Sequence, residues 1–159
     1  MKDNVQGYFG IGIYSPQKSH NVGTLWRSAF IFGASFIFTI GGQKYHTQSS
    51  DTTHAPKYIP LYHYLNMEDF YLYLPKDCLL VGVEISSSSQ DLRNFTHPER
   101  AIYLLGSETT GLPERLLEKC HRKIQIPTYF PYPLNVSMAG NIIMYDRLTK
   151  ESNNFKGVL

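Results

Sequence analysis

Hydrophobic residues are concentrated in short runs that recur along the chain, each bounded by turn-forming or polar residues. Runs of this length, rich in β-branched and aromatic residues, are typical of β-strands. Most of them are apolar throughout, which favours burial on both faces of a parallel sheet. The pattern predicts six strands, over Tyr8–Tyr14, Ser35–Ile40, Ile59–Tyr64, Leu79–Ile85, Ala101–Leu105 and Lys123–Ile126.

Helical segments are predicted between these strands. Asn21 and Asn66 are typical helix caps, and Gly33 is a typical helix stop. Alternating strands and helices indicate an α/β domain with a mostly parallel six-stranded sheet flanked by helices, in which ligands bind beyond the carboxyl ends of the strands. The predicted helices run from Asn21 to about Phe32, from Asn66 onward, from Pro113 to about Cys120, and from about Asn135 to Lys150.

The length of the chain fits one domain, which we expect to cover residues 1–159, with a flexible tail over the last few residues. The sequence shows neither an apolar run long enough to span a bilayer nor the apolar stretch of a signal peptide, so we expect a soluble, cytoplasmic protein without membrane contact. The two cysteines, Cys78 and Cys120, lie far apart and lack the spacing of metal ligands. We therefore expect reduced thiols and no metal site.

Several common catalytic motifs are missing from the sequence. Gly10–Ser15 resembles a dinucleotide-binding loop, but its glycines fall inside the first predicted strand, so an unrelated oxidoreductase lacks the fingerprint it needs. The sequence contains neither a phosphate-binding GxxxxGK[ST] loop nor a nucleophile elbow, and its six histidines are scattered. The net charge of +2 permits an RNA partner without requiring one.

A proline-rich loop over residues 127–133 separates the last predicted strand from the last helix. Its prolines restrict the backbone, which can then face a ligand at little entropic cost. Asn135 and Ser137 follow at a helix N-terminus, where they either cap the helix or contact a polar ligand. The aromatic residues of the loop either stack on bases or fill a core or an interface; they are Tyr129, Phe130 and Tyr132.

Two further segments combine polar residues with the ends of predicted strands. In the segment over 21–27, Asn21 can fix the backbone where a helix begins, while the long side chain of Arg27 reaches back over it. In the segment over 104–113, Gly106 lets the backbone approach a ligand, and Glu108 stands at the carboxyl edge of the sheet. Taken singly, each segment also fits a capped helix or an exposed turn.

Together, and in this order, the three segments resemble the three motifs of the TrmH (SpoU) family of RNA ribose 2′-O-methyltransferases, within the SPOUT superfamily. The resemblance spans most of the chain and implies a Rossmann-like α/β fold with a deep trefoil knot near the C-terminus. It also implies S-adenosylmethionine as cofactor, no metal, an RNA substrate and a homodimer. The matching segments are Asn21–Arg27, Leu105–Gly111, and Ile126–Pro127 with Leu134–Ala139.

The resemblance also implies roles for individual residues. Arg27 is the implied catalytic arginine, which we expect to orient the RNA phosphate and stabilise developing negative charge, because a guanidinium pKa above about 12 makes it a poor base. The residues implied in catalysis are Arg27, Asn21, Glu108 and Asn135. The residues implied in cofactor binding are Glu84, Gly106, Ile126 and Leu134.

Minimal single-domain relatives of the TrmL type act on tRNA, so the resemblance implies tRNA rather than rRNA as the substrate. An rRNA 2′-O-methyltransferase and a catalytically weak RNA-binding protein that keeps the fold are the alternatives. Pro133 favours the second, because the family usually has serine at this position and proline offers neither a hydroxyl nor an N–H. We expect Ser137 or the backbone of the 129–133 loop to take over the contacts of that serine.

Overall fold

The computed structural model describes residues 7–46 and 54–151, so the predicted flexible tail lies outside the described residues. The strands are β1 (Phe9–Tyr14), β2 (Phe36–Ile40), β3 (Leu61–Tyr64), β4 (Leu79–Val83), β5 (Gln90–Asp91), β6 (Ala101–Leu105) and β7 (Arg122–Gln125). The α-helices are α1 (Ser19–Ile31), α2 (Met67–Tyr73), α3 (Glu114–Leu117) and α4 (Val136–Glu151), and short 3-10 helices cover Ala55–Lys57 and Leu92–Asn94.

The strands form a single sheet in the order β3-β2-β1-β6-β4-β7-β5, and every pair in it is parallel. The predicted parallel α/β architecture is therefore confirmed. The predicted count of six strands is wrong, because Gln90 and Asp91 form a seventh strand that pairs with β7 at the edge of the sheet. Two polar residues carry no apolar run, so the hydrophobic pattern gave no sign of this strand.

Each face of the sheet carries its own hydrophobic core. Alternate side chains of β1, β4 and β6 pack on one face against α1 and α4, and the remaining side chains pack on the other face against α2 and α3. A Cβ on Gly10 or Gly12 would lie within 2.5 Å of the Phe36 or Phe38 ring, so these glycines make room for rings inside the sheet. Within the described ranges, every helix is too short or too polar to cross a membrane.

A buried polar cluster ties the C-terminal half of α4 to the loop before β6. His97 lies between the Tyr103 hydroxyl, 2.6 Å from Nδ1, and the Asp146 carboxylate, 2.8 Å from Nε2. Arg147 donates to the carbonyl oxygens of Pro98 and Glu99 at 2.6 and 2.9 Å. Because α4 also carries Asn135 at its other end, these contacts help to fix the helix that borders the site described below.

Burial lowers the pKa of His97 below its ordinary value, although the Asp146 carboxylate partly offsets this effect. As the pH falls below about 6.5, the unfolded chain takes up a proton at His97 that the folded chain does not, so the free energy of unfolding decreases. We expect the protein to lose up to about 1 kcal/mol of stability from this group between pH 7.5 and 5.5. Urea unfolding should show a smaller difference in the free energy of unfolding between the two pH values for His97→Asn than for the wild type. The control His20→Asn, at an exposed position, should show the same difference as the wild type.

Candidate active site

A cavity of about 380 Å³ opens at the carboxyl ends of β4, β6 and β7. Its walls come from the loops that follow these three strands, so it lies where ligands bind in parallel sheets. All four residues implied in cofactor binding line the cavity: Glu84, Gly106, Ile126 and Leu134. Much of the remaining wall is formed by residues 107–111 and 131–133.

Glu84 and Gly106 hold the loop after β6 in place. The Glu84 carboxylate accepts hydrogen bonds from the backbone N–H of Leu112 at 2.7 Å and of Ile85 at 3.0 Å. A Cβ on Gly106 would lie 2.2 Å from the carbonyl carbon of Gly111, so only glycine lets the two backbone segments approach this closely. The cavity wall is thus built from tightly apposed backbone.

Glu108 joins this loop to the start of α1. Its carboxylate accepts hydrogen bonds from the backbone N–H of Gln17 at 2.8 Å and of Lys18 at 3.2 Å, and from the Asn21 side chain at 2.7 Å. Burial alone would raise the pKa of Glu108, but these hydrogen bonds outweigh it and hold the pKa below its ordinary value. Glu108 is therefore ionised at neutral pH and its oxygens are occupied, so it serves better as a positioning group than as a base.

Asn21 and Asn135 continue this connection to α4. The Asn135 amide donates to Asn21 Oδ1 at 3.0 Å, while Asn135 Oδ1 accepts from the N–H groups of Ser137 and Met138 at 3.0 and 3.3 Å. Asn135 therefore caps α4, which is one of the two roles that the sequence left open for it. The predicted capping role of Asn21 is wrong, because α1 begins at Ser19 and Asn21 lies buried in its first turn, bound to Glu108.

Arg27 stands apart from this network. It is exposed on α1, six residues after the buried Asn21. Within residues 7–46 and 54–151, no hydrogen bond or ion pair engages its guanidinium. The structure thus connects three of the four residues implied in catalysis, while the Arg27 guanidinium is exposed and unbonded among the described residues.

Sequence similarity to known proteins identifies the family of this chain. A sequence profile described as the SpoU rRNA Methylase family matches residues 9–145. The chain belongs to this SpoU family. The match confirms the resemblance drawn from the three motifs.

Curated relatives of this SpoU chain include tRNA methyltransferases. The chain is 27% identical over 141 residues to the tRNA (guanosine(18)-2′-O)-methyltransferase TARBP1 of Mus musculus, covering 81% of this chain and 8% of that protein. It is 23% identical over 139 residues to the tRNA (guanosine(18)-2′-O)-methyltransferase of Escherichia coli K12, covering 86% of this chain and 61% of that protein. The chain therefore spans less than two thirds of the length of either relative.

A solved structure with the same fold is that of the SpoU methyltransferase AviRb from Streptomyces viridochromogenes, in complex with AdoMet. The TM-score is 0.82 at 21% identity, and the alignment covers 96% of this chain and 60% of that one. At this identity the likeness concerns the fold, an α/β domain with a parallel sheet flanked by helices.

Other parts of the site differ from what sequence reasoning proposed. Of the two groups expected to take over the contacts of a serine at position 133, Ser137 does not line the cavity, and its buried hydroxyl donates to Asn135 Oδ1 at 2.6 Å. Pro133 itself lines the cavity together with Pro131 and Tyr132. The backbone donors Gln17 and Lys18 were missed, because main-chain N–H groups leave no mark in a sequence.

The link between Asn135 and Asn21 gives a measurable stability prediction. Asn135→Ala removes a helix cap, worth about 1 kcal/mol, and leaves the buried Oδ1 of Asn21 without its donor, worth about 1 kcal/mol more. We expect urea unfolding to show a total loss of about 2 kcal/mol. Asn66→Ala is the matched control, because the exposed Asn66 side chain caps α2 and, among the described residues, accepts one hydrogen bond, from the Asp69 N–H. Equal losses of stability in the two variants would show that the bond to Asn21 adds nothing.

Proposed function

We propose that this chain is an S-adenosylmethionine-dependent RNA ribose 2′-O-methyltransferase whose substrate is tRNA. The observation that carries the proposal is the hydrogen-bonded series Glu108–Asn21–Asn135, which joins all three motifs beside one cavity. A family match over residues 9–145 supports the activity, and the names of the curated relatives support tRNA.

The cavity suits S-adenosylmethionine in size and chemistry. Its volume of about 380 Å³ is in the range of small-molecule sites, which combine apolar walls with a few polar groups. Ile126 and Leu134 supply apolar surface for an adenine ring, while the carboxylates of Glu84 and Glu108 supply negative charge that suits a sulfonium. When bound, the cofactor would supply an electrophilic methyl group.

The residues of this chain would then position the RNA. Arg27 holds the phosphate beside the target ribose and stabilises negative charge as the 2′-oxygen attacks, since its guanidinium is uncommitted within the described chain. Glu108, Asn21 and Asn135 keep the loop after β6, the start of α1 and the start of α4 in register. The proton of the 2′-hydroxyl would pass to water or to the phosphate.

A second candidate is a catalytically weak RNA-binding protein that keeps the fold. The observation that favours it is Pro133, which lines the cavity and offers neither a hydroxyl nor an N–H to a ligand. An enzyme is favoured by Arg27, whose guanidinium makes no bond to the described part of the chain, and by the intact series from Glu108 to Asn135.

Transfer of labelled methyl from S-adenosylmethionine tests these alternatives, with deproteinised tRNA and rRNA offered separately. Label in tRNA alone supports the proposal, and label in rRNA alone identifies an rRNA methyltransferase. Cofactor binding by calorimetry without label in either RNA would leave the RNA-binding protein as the better account.

We propose that the protein is a homodimer in the cytoplasm. The supporting feature is an exposed apolar stripe on α4 at helical spacing, formed by Met138, Ile142, Tyr145 and Leu148. The burial of both cysteines without a disulfide fits a reducing compartment. Sedimentation equilibrium should give twice the mass of one chain, and a single-chain mass at micromolar concentration would contradict the dimer.

We also propose that the chain is threaded as a trefoil knot. Its support is the position of β7, which pairs with β4 on one side and β5 on the other, although β4 and β5 follow each other in sequence. The chain leaving β7 must therefore pass the connection over residues 84–89. An experimental structure traced through residues 79–151 tests the threading. A backbone trace that straightens without a knot when its two ends are drawn apart would exclude it.

A further inference from the structure

Three aromatic side chains on the loop between β7 and α4 project into solvent. Tyr129 is fully exposed, Phe130 is 72% exposed and Tyr132 is 74% exposed. Within residues 7–46 and 54–151, none of them pairs with another ring. Large rings left in water as a group mark an interaction surface rather than a packing element.

Hydrogen bonds and prolines restrict the backbone of the loop that carries these rings. Thr128 Oγ1 and the Tyr132 N–H both donate to the carbonyl oxygen of Phe130, at 2.7 and 2.8 Å. The prolines at 127, 131 and 133 further restrict the loop. A surface that is ordered before it binds loses little entropy on binding, so each ring can contribute most of its contact energy.

The same loop is continuous with the cavity. Pro131, Tyr132 and Pro133 line it, so Tyr129 and Phe130 extend outward from its rim. Glu108, another residue of the cavity wall, accepts a hydrogen bond from the backbone N–H of Lys18, whose side chain is exposed. Flat aromatic surface and positive charge are the two features that hold single-stranded nucleic acid.

We propose that Tyr129, Phe130 and Tyr132 form a stacking platform for unpaired bases that flank the methylated nucleotide. The inference rests on the proposed function and names the class of substrate: RNA loops or single strands. Bases in a duplex are already stacked on each other and cannot offer their faces, whereas unpaired bases can stack on aromatic rings. A stacking surface tolerates any base, so the platform fixes the conformation of the RNA and not its sequence.

Fluorescence anisotropy of labelled RNA tests the platform directly. The probes are a 12-nucleotide RNA without self-complementarity and the blunt duplex that contains it. We expect Tyr129→Ala and Phe130→Ala each to weaken binding of the single strand roughly 5- to 100-fold, and Tyr129→Phe to keep it, because a phenyl ring still stacks. Tyr73→Ala, at a position 64% exposed on α2, is the matched control and should bind as the wild type does.

The result that would overturn the platform is single-strand affinity within twofold of wild type in both alanine variants, or a duplex bound as tightly as the single strand. Dissociation of a dimer by Tyr129→Ala, with RNA binding unchanged, would instead assign the rings to a protein interface. Cofactor affinity measured by calorimetry should be the same in all variants. Ring-dependent RNA binding without methyl transfer would reject the proposed enzyme while supporting the platform.

Discussion

Replacing Arg27 with alanine should reduce kcat for methyl transfer about 100- to 1000-fold, the usual cost of removing a preorganised electrostatic contact from an active site. The guanidinium has no other role to lose, because it is exposed and unengaged within the described residues. Cofactor affinity and the free energy of unfolding should therefore stay at their wild-type values. Arg27→Lys should recover only part of the rate, since an ammonium cannot bind phosphate through two parallel hydrogen bonds.

Arg115→Ala is the matched control for Arg27→Ala. Arg115 is likewise exposed and lies on α3, which packs on the opposite face of the sheet from α1. Its loss should leave kcat within twofold of wild type. Equal effects of the two substitutions would show that general positive charge, and not the position of Arg27, matters for catalysis.

Gly106→Ala should weaken binding of S-adenosylmethionine by about 30-fold, equivalent to about 2 kcal/mol. The new methyl group would lie 2.4 Å from the backbone nitrogen of Leu112, the same N–H that donates to the Glu84 carboxylate. The two backbone segments must separate, so the cavity wall moves and the hydrogen bond to Glu84 is strained. Calorimetric titration with the cofactor measures the change.

Gly82→Ala separates this effect from a general loss of stability. A Cβ on Gly82 would meet the side chains of Leu117 and Cys120 at 2.8 and 2.9 Å, in the core beneath α3 and outside the cavity. Both variants should be less stable by about 1–3 kcal/mol in urea unfolding. Only Gly106→Ala should lose cofactor affinity. Unchanged affinity in that variant would show that the cofactor does not bind in this cavity.

The hydrophobic pattern predicted the architecture because burial determines most of it. Six of the strands and all four helices were found near their predicted positions, since continuous apolar runs and cap residues carry local signals. The seventh strand was missed for the opposite reason. Gln90 and Asp91 pair with the edge of β7 through backbone alone, and their side chains carry no trace of that pairing.

The role of Asn21 could not be predicted from its neighbours in sequence. An Asn beside a predicted helix start usually caps that helix. Asn21 instead donates a hydrogen bond to Glu108, which lies 87 residues further along the sequence. The motifs brought together Asn21, Glu108 and Asn135 as a set, while the order of their hydrogen bonds is a property of the folded chain. The exposure of Tyr129 likewise required the structure, because its sequence neighbourhood fits a core, an interface or a stacking surface equally well.

The most direct test of the central claim is nucleoside analysis by mass spectrometry of tRNA incubated with the protein and S-adenosylmethionine. The proposed activity predicts new 2′-O-methylated nucleosides in the wild-type reaction and about 100- to 1000-fold slower formation of them with Arg27→Ala. Methyl groups on the bases, or unmodified tRNA despite measured cofactor binding, would contradict it.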